Sequence, residues 1–351
     1  MFISSSSGSI HSSLNPFHDL TSGLEHRGFI PSDNSKSDFF IGINHNKRTY
    51  KEFISQGGSS DRAALIRLEP PSVFPAQYGE AIQEYYGIVM TLGSLRGISN
   101  KSEFLCWPYE VVANPQKPLP NEFTLNQHRL FALEHHLSDF NSWLNRKNEI
   151  VLIAANKVSP AREEQYSTRR KYARNLQAHQ LKIYGEFWNE SLLKQVEHRA
   201  RVLIFSLRNG YFPNLKNLYG NLHWRYPSAQ GPIAEKKLAL ENSRFSLVIE
   251  NDSSYVSEKL FDAMMHGTIP IYLGPDLSLT GIPSNVLIEL NQSPAEIWNY
   301  VCKLDEKELF AIWQNIRSFL SSELNLKRWD KAIVYGQIAN QLTNHFESLK
   351  P

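Results

Sequence analysis

Residues 245–276 read Phe245-Ser-Leu-Val-Ile-Glu250-Asn-Asp-Ser-Ser-Tyr255-Val-Ser-Glu-Lys259-Leu-Phe-Asp-Ala-Met-Met-His-Gly267-Thr-Ile-Pro-Ile-Tyr-Leu-Gly274-Pro-Asp. Phe245, Leu247 and Ile249 alternate with Ser246 and Val248 and lead into the polar cluster 250–254, the pattern of a buried strand that ends at a functional loop. Val256, Leu260, Phe261, Met264 and Met265 then recur at helical spacing. Gly267 stands where a helix C-terminus wants a residue free to take positive φ, and 268–273 is a second apolar run. Strand, loop, helix and strand make a βαβ-like unit. Its polar residues gather at the carboxyl end of the first strand, the crevice where open α/β sheets bind ligands, and Glu258 and Lys259 fall together there.

The same alternation extends outward. Residues 149–155 form an apolar run that feeds the loop 156–162, and Pro160 suits the first turn of a helix expected to reach about Leu176. Residues 39–44, 63–68 and 87–92 read as strands, with a helix over 78–86; 182–185 and 202–205 are further strand candidates. The stretch 208–232 reads as an irregular loop, 235–243 as a helix, 285–290 as a strand and 293–346 as largely helical. The proline-rich stretch 107–121 reads as a surface crossing and 125–144 as helix. A chain of 351 residues is long for one hydrophobic core, so two α/β domains are expected. The expected organisation is a flexible Ser-rich leader over 1–35, a first domain over 36–147, a second over 148–292 and a C-terminal helical segment over 293–351.

Composition narrows the function classes. With 37 basic and 35 acidic residues the net charge is +2, which provides no overall field for a nucleic-acid backbone or an anionic membrane but leaves room for a small anion held by local cations. Two cysteines, Cys106 and Cys302, are too few for a disulfide framework and favour a reducing compartment. No run approaches the length of a membrane span, and the N-terminus lacks the basic start and apolar core of a signal peptide, so a cytoplasmic location is expected.

Several residues could carry chemistry, each with a plainer alternative. Lys259 at a helix N-terminus opposes the macrodipole unless it shares an anion with backbone N–H groups; the alternative is a surface ion pair. Arg162 beside its loop offers a fork for phosphate oxygens or is a solvated first-turn residue, and Arg169, Arg170, Lys171 and Arg174 read as the wet face of the same helix. Glu69 ends a strand just before Pro70 and Pro71, which presents a carboxylate on a stiff turn as a general base or simply a turn former. Glu250 reads equally as a structural acceptor for the loop that follows. His128, His135 and His136 lack metal partners at ligand spacing and read as helix surface. No Asp-x-Asp triplet lies near these loops and no P-loop or G-x-G-x-x-G fingerprint is present, so no metal is expected.

The opening stretch resembles the signature of the family 10 glycosyltransferases, the α-1,3/4-fucosyltransferases: Phe-x-Leu-x-Phe-Glu-Asn, a short loop, Tyr-Val-Thr-Glu-Lys and a Val/Ile-Pro-Val/Ile-x-x-Gly strand. Here these stand as Phe245 to Asn251, Tyr255 to Lys259 and Ile269 to Gly274, with Ile249 in place of an aromatic and Ser257 in place of threonine. Residues 155–162 and 68–72 look like the family's Ser/Ala-Asn…Arg and Glu-Ser/Pro-Pro segments. The resemblance implies a GT-B architecture, two Rossmann-like domains facing across a cleft, the first for the acceptor and the second for GDP-fucose. It implies that Arg162 and Lys259 neutralise the diphosphate, that Asn251, Tyr255 and Glu258 hold the ribose and fucose, and that Glu69 is the catalytic base of an inverting, metal-independent transfer. A glycan acceptor of GlcNAc type with α-1,3 linkage is the family expectation, and the expected cytoplasmic location suggests a lipid-linked or soluble glycan precursor. Two other readings stay open: a GT-B enzyme using another nucleotide sugar, and a non-catalytic sugar- or nucleotide-binding protein of the same fold.

Overall fold

A computed structural model of the protein describes residues 2–5, 18–32, 37–94, 102–106, 124–208, 214–219, 222–223 and 226–349. The chain divides into two compact units, one formed by residues 1–122 with 327–351 and the other by 123–326. The proline-rich stretch 107–121 lies outside the described residues.

Among the described residues the first unit forms a six-stranded parallel sheet in the order β2-β1-β3-β4-β5-β6. Its strands are β1 (Phe2–Ser5), β2 (Ile30–Pro31), β3 (Phe39–Ile43), β4 (Ala63–Arg67), β5 (Ile88–Leu92) and β6 (Ser102–Leu105). Both faces of a parallel sheet are covered, and the side chains divide between them with period two. Phe39, Ile41, Ala64, Ile66, Met90 and Leu92 face α1 (His18–Glu25) and α14 (Lys331–Glu347). Phe40, Ala63, Leu65 and Val89 face Tyr50 and Phe53 of α2 (Lys47–Ser55). The short helix α3 (Glu80–Gln83) precedes β5.

Two expectations are corrected here. The stretch 1–35 is not merely a leader, because β1, α1 and β2 are built from it and Leu20, Leu24 and Phe29 are core residues. The C-terminal segment does not stay together either: α14 belongs to the first unit, where Phe346 stacks on Phe39 with ring centroids 4.2 Å apart.

The second unit holds α4 (Leu125–Phe131), α5 (Phe140–Leu144), β7 (Lys147–Ile153), α6 (Tyr166–Asn175), β8 (Leu181–Tyr184), α7 (Leu192–Arg208), α8 (Leu215–Tyr219) and β9 (Ala229–Gly231). It continues with α9 (Lys237–Leu240), β10 (Ser243–Ile249), α10 (Lys259–Met265), β11 (Ile269–Leu273), β12 (Ile288–Glu289), α11 (Ile297–Lys303), α12 (Glu306–Ser321) and α13 (Glu323–Leu326). The strands pair in parallel in the order β12-β11-β10-β7-β8-β9. The chain moves outward from β7 through β8 to β9, then returns to start β10 on the other side of β7. The β7/β10 pair is therefore the point where strand order reverses, and this is the crevice in which doubly wound sheets bind ligands.

Helices α4 and α5, expected in the first domain, belong to this unit. Trp143 Nε1 donates to Gly267 O (2.6 Å), Arg146 Nη1 to His266 O (2.7 Å) and Arg129 Nη1 to Leu320 O (3.1 Å), so the segment caps carbonyls of the second unit. The apolar run 202–205, expected as a strand, lies inside α7.

Candidate active site

The loops that leave β7 and β10 meet at the switch point. Gln165 N donates to Asn251 O (3.0 Å), Ser253 N to Glu163 O (3.1 Å), and Glu164 forms an antiparallel bridge with Asp252. Pro160 does not start α6, which begins at Tyr166; the residues between spend their backbone on the β10 loop instead. Arg162 is exposed on the first loop. Asn251, Tyr255 and Glu258 lie on the second and Lys259 opens α10 after it, with Tyr255 buried and its N–H turned back to Asp252 O (3.2 Å).

The second loop is folded around Glu250. This carboxylate is fully buried directly after β10, and it accepts from Ser257 N (2.9 Å), Ser257 Oγ (2.7 Å) and Lys259 Nζ (3.3 Å). Lys259 Nζ also donates to Ser257 Oγ (2.7 Å). A buried carboxylate is costly without a cation and N–H partners, and the spacing Glu250, Ser257, Lys259 supplies both. This explains why a hydroxyl stands at 257. Gly274 is fixed by Tyr272, whose hydroxyl a Cβ there would overlap. Gly267 takes φ +72 directly after α10, as its position in the sequence requires.

Glu258 caps α10 between two ammonium groups. Burial works to raise its carboxyl pKa, but Lys259 and Lys236 outweigh it and hold the group below the usual range. Lys236 bridges Glu258 (3.6 Å) and Asp262. Burial opposes its charge, and the two carboxylates hold its pKa above the ordinary lysine value. No periodicity or motif singled out Lys236, because its partners lie 22 or more residues further along the chain.

Arg169 and Arg170, expected on a wet helix face, are buried at 3% and 1% exposure. Arg169 Nε donates to Ile249 O (2.9 Å) and Nη2 to Asn251 Oδ1 (2.8 Å), while Arg170 Nη1 donates to Lys157 O (2.6 Å). The two neighbouring guanidinium groups thus lock the ends of both loops. Their signal was the spacing Tyr166, Arg169, Arg170, Ala173, which is one inward helix face. His128 and His136 also turn inward, against His266, with ring centroids 5.6 and 5.8 Å apart. Burial and the His266 ring push both down to about 4. Among the described residues no group of three or more His, Cys, Asp or Glu could hold a metal ion.

Glu69 lies in the first unit, just beyond β4, and its main chain is fixed from both sides. Asn44 Oδ1 accepts from Leu68 N (2.9 Å) and Glu69 N (3.3 Å), while Gln77 Nε2 (2.9 Å) and Tyr78 Oη (3.0 Å) donate to Glu69 O. Asn44 does this from φ +52, a left-handed conformation that asparagine tolerates better than most residues.

No protein-family profile matches the chain. Solved structures do resemble it. Anabaena HepE in complex with UDP-glucose superposes with a TM-score of 0.50 at 10% identity over 99% of both chains. An α1,3-fucosyltransferase gives 0.50 at 14% identity, covering 99% of this chain and 89% of that one. The chain has the GT-B fold, two Rossmann-like domains. In sequence, 91 residues are 32% identical to the GDP-fucose protein O-fucosyltransferase 3 of Gallus gallus, and the chain spans 19% of that relative's length. Among the described residues no helix is long and apolar enough to cross a membrane.

Proposed function

We propose that the protein is an inverting glycosyltransferase that moves L-fucose from GDP-fucose to a hydroxyl of a glycan. The observation that supports this reading is the meeting of the β7–α6 and β10–α10 loops at the switch point, loops that carry Arg162, Asn251, Tyr255 and Glu258 and lead into Lys259. An ammonium has three N–H donors; Lys259 spends two on Ser257 and Glu250, and its third with the Arg162 fork would hold the diphosphate. Asn251, Tyr255 and Glu258 would hold ribose and fucose. Glu69 would take the proton of the acceptor hydroxyl as that oxygen bonds the anomeric carbon and the bond to GDP breaks. Negative charge then develops on the leaving diphosphate, where fixed cations stabilise it. The first unit would receive the acceptor, a GlcNAc-type sugar joined in α-1,3 linkage, and the second the donor, with no metal in the reaction.

The fucosyl donor is supported by the residues shared with the family 10 signature and by the O-fucosyltransferase match. A UDP-sugar reading is supported by the likeness to HepE, solved with UDP-glucose. Calorimetry with GDP and UDP, followed by turnover of GDP-fucose, GDP-mannose and UDP-glucose on a panel of β-galactosides and GlcNAc glycosides, separates them. The expected result is GDP binding and GDP-fucose turnover that survives EDTA. Binding of GDP without GDP-fucose turnover, or turnover of UDP-glucose, would sink the proposal.

A further inference from the structure

Helix α7 is built inside out. Its buried side is polar: Arg199 Nε donates to Leu218 O (2.8 Å) and Gln195 Nε2 to the carbonyls of Glu190 and His223 (2.8 Å each), with Ser206 buried beside them. At about 100° per residue the adjoining sector carries Leu193, Val196, Ile204 and Leu207, all exposed, Leu193 at 83%. The sector beyond holds the exposed Lys194, Arg201 and Phe205. Leu215 of α8, packed against α7, is exposed as well. A core-facing helix shows the reverse pattern, so this apolar strip is directed at something outside the unit.

Charge identifies the occupant. The sequence from 198 to 234 contains no Asp or Glu; of its basic residues Arg201 and Lys216 are exposed, whereas Arg199 is turned inward. At the chain's overall content of 35 acids in 351 residues, a window of this length would carry three or four. The net charge of +2 averages this local field away. Glu197, ion-paired with Arg201 (2.9 Å), is the single acid within the α7 sequence. A second copy pairing through the same strip would bring like-charged flanks together, whereas an anionic lipid surface neutralises them.

We propose that the exposed side of α7 docks in the interface of a bilayer containing anionic phospholipid. The leucine strip enters the headgroup boundary and Lys194 and Arg201 reach the phosphates, as in amphipathic helices that lie in the membrane plane.

The test is co-sedimentation of the full chain with vesicles of phosphatidylcholine with and without phosphatidylglycerol, in low and high salt. The protein is expected to pellet with the anionic vesicles in low salt. A Leu193→Ser, Ile204→Ser, Leu207→Ser variant should lower the bound fraction at least about tenfold, with an unchanged thermal melt because these side chains are exposed. Lys194→Glu with Arg201→Glu should weaken binding in low salt and little in high salt. Failure to pellet overturns the proposal, as does equal pelleting with pure phosphatidylcholine or full binding by the triple variant. A concentration-dependent dimer that the triple variant abolishes, without vesicle binding, overturns it in favour of a second copy.

Discussion

Glu69 follows β4 in the first unit and Glu250 follows β10 in the second, two carboxylates just beyond parallel strands, and the bonds described for them run through different groups. Glu69 is fixed through its main chain, by Asn44 on its N–H and by Gln77 and Tyr78 on its carbonyl. Glu250 is fixed through its carboxylate, which organises Ser257 and Lys259. Main-chain bonds do not use the acid group, so the three on Glu69 persist when its carboxylate is replaced. Side-chain anchoring makes the acid group part of the fold and couples any ligand bound by Lys259 to local stability.

The largest effect that would sharpen this contrast is on turnover. Glu69→Gln keeps every main-chain bond and should cut transfer by about 10²–10⁴-fold, while nucleotide binding persists and urea stability stays within about 0.5 kcal/mol. Undiminished turnover would remove Glu69 as the base, and a large stability loss would break the contrast itself. Next comes Glu250→Ala, which strands a half-buried ammonium and two Ser257 donors and should cost up to about 3 kcal/mol in urea unfolding; a neutral result would show that Glu250 does not organise its loop. The smallest effect is on pH. His128 and His136 are held down to about 4 in the folded state against an ordinary value of 6.5. The unfolded chain therefore binds protons first as pH falls from 6.5 to 4, and stability drops by up to about 1.4 kcal/mol per pH unit for each site, less with solvent screening. The urea midpoint should fall across that window, and His136→Gln should flatten the slope; an unchanged slope would mean that His136 is not held neutral.

What the sequence made legible follows from what each signal depends on. β3, β4, β5, β7 and β10 were readable because a strand covered on both faces needs a local apolar run, and such runs lie inside them at 39–43, 63–66, 88–92, 150–153 and 245–249. Val202, Leu203, Ile204 and Phe205 give the same short run but belong to α7, and a run of four cannot separate strand from helix. Arg169 and Arg170 looked wet because charge in sequence says nothing about carbonyls elsewhere that can accept from a guanidinium, here Ile249 O and Lys157 O. β1 and α1 were hidden in a Ser-rich stretch, since β1 pairs with β3 and α1 packs on α14, more than 300 residues along. Glu250 was legible as an acceptor for the loop that follows it, whereas Lys236, joined to Glu258 and Asp262 only by folding, was not.

The place of α14 bears on how the chain is made. Val334, Ile338, Leu342 and Phe346 cover the face of the first sheet that Phe39, Ile41 and Ile66 present. A ribosome delivers those strands early and their cover after nearly all of the second unit has emerged. The unit begun first is thus completed last, and during synthesis the second can close its core while the apolar face of the first still waits.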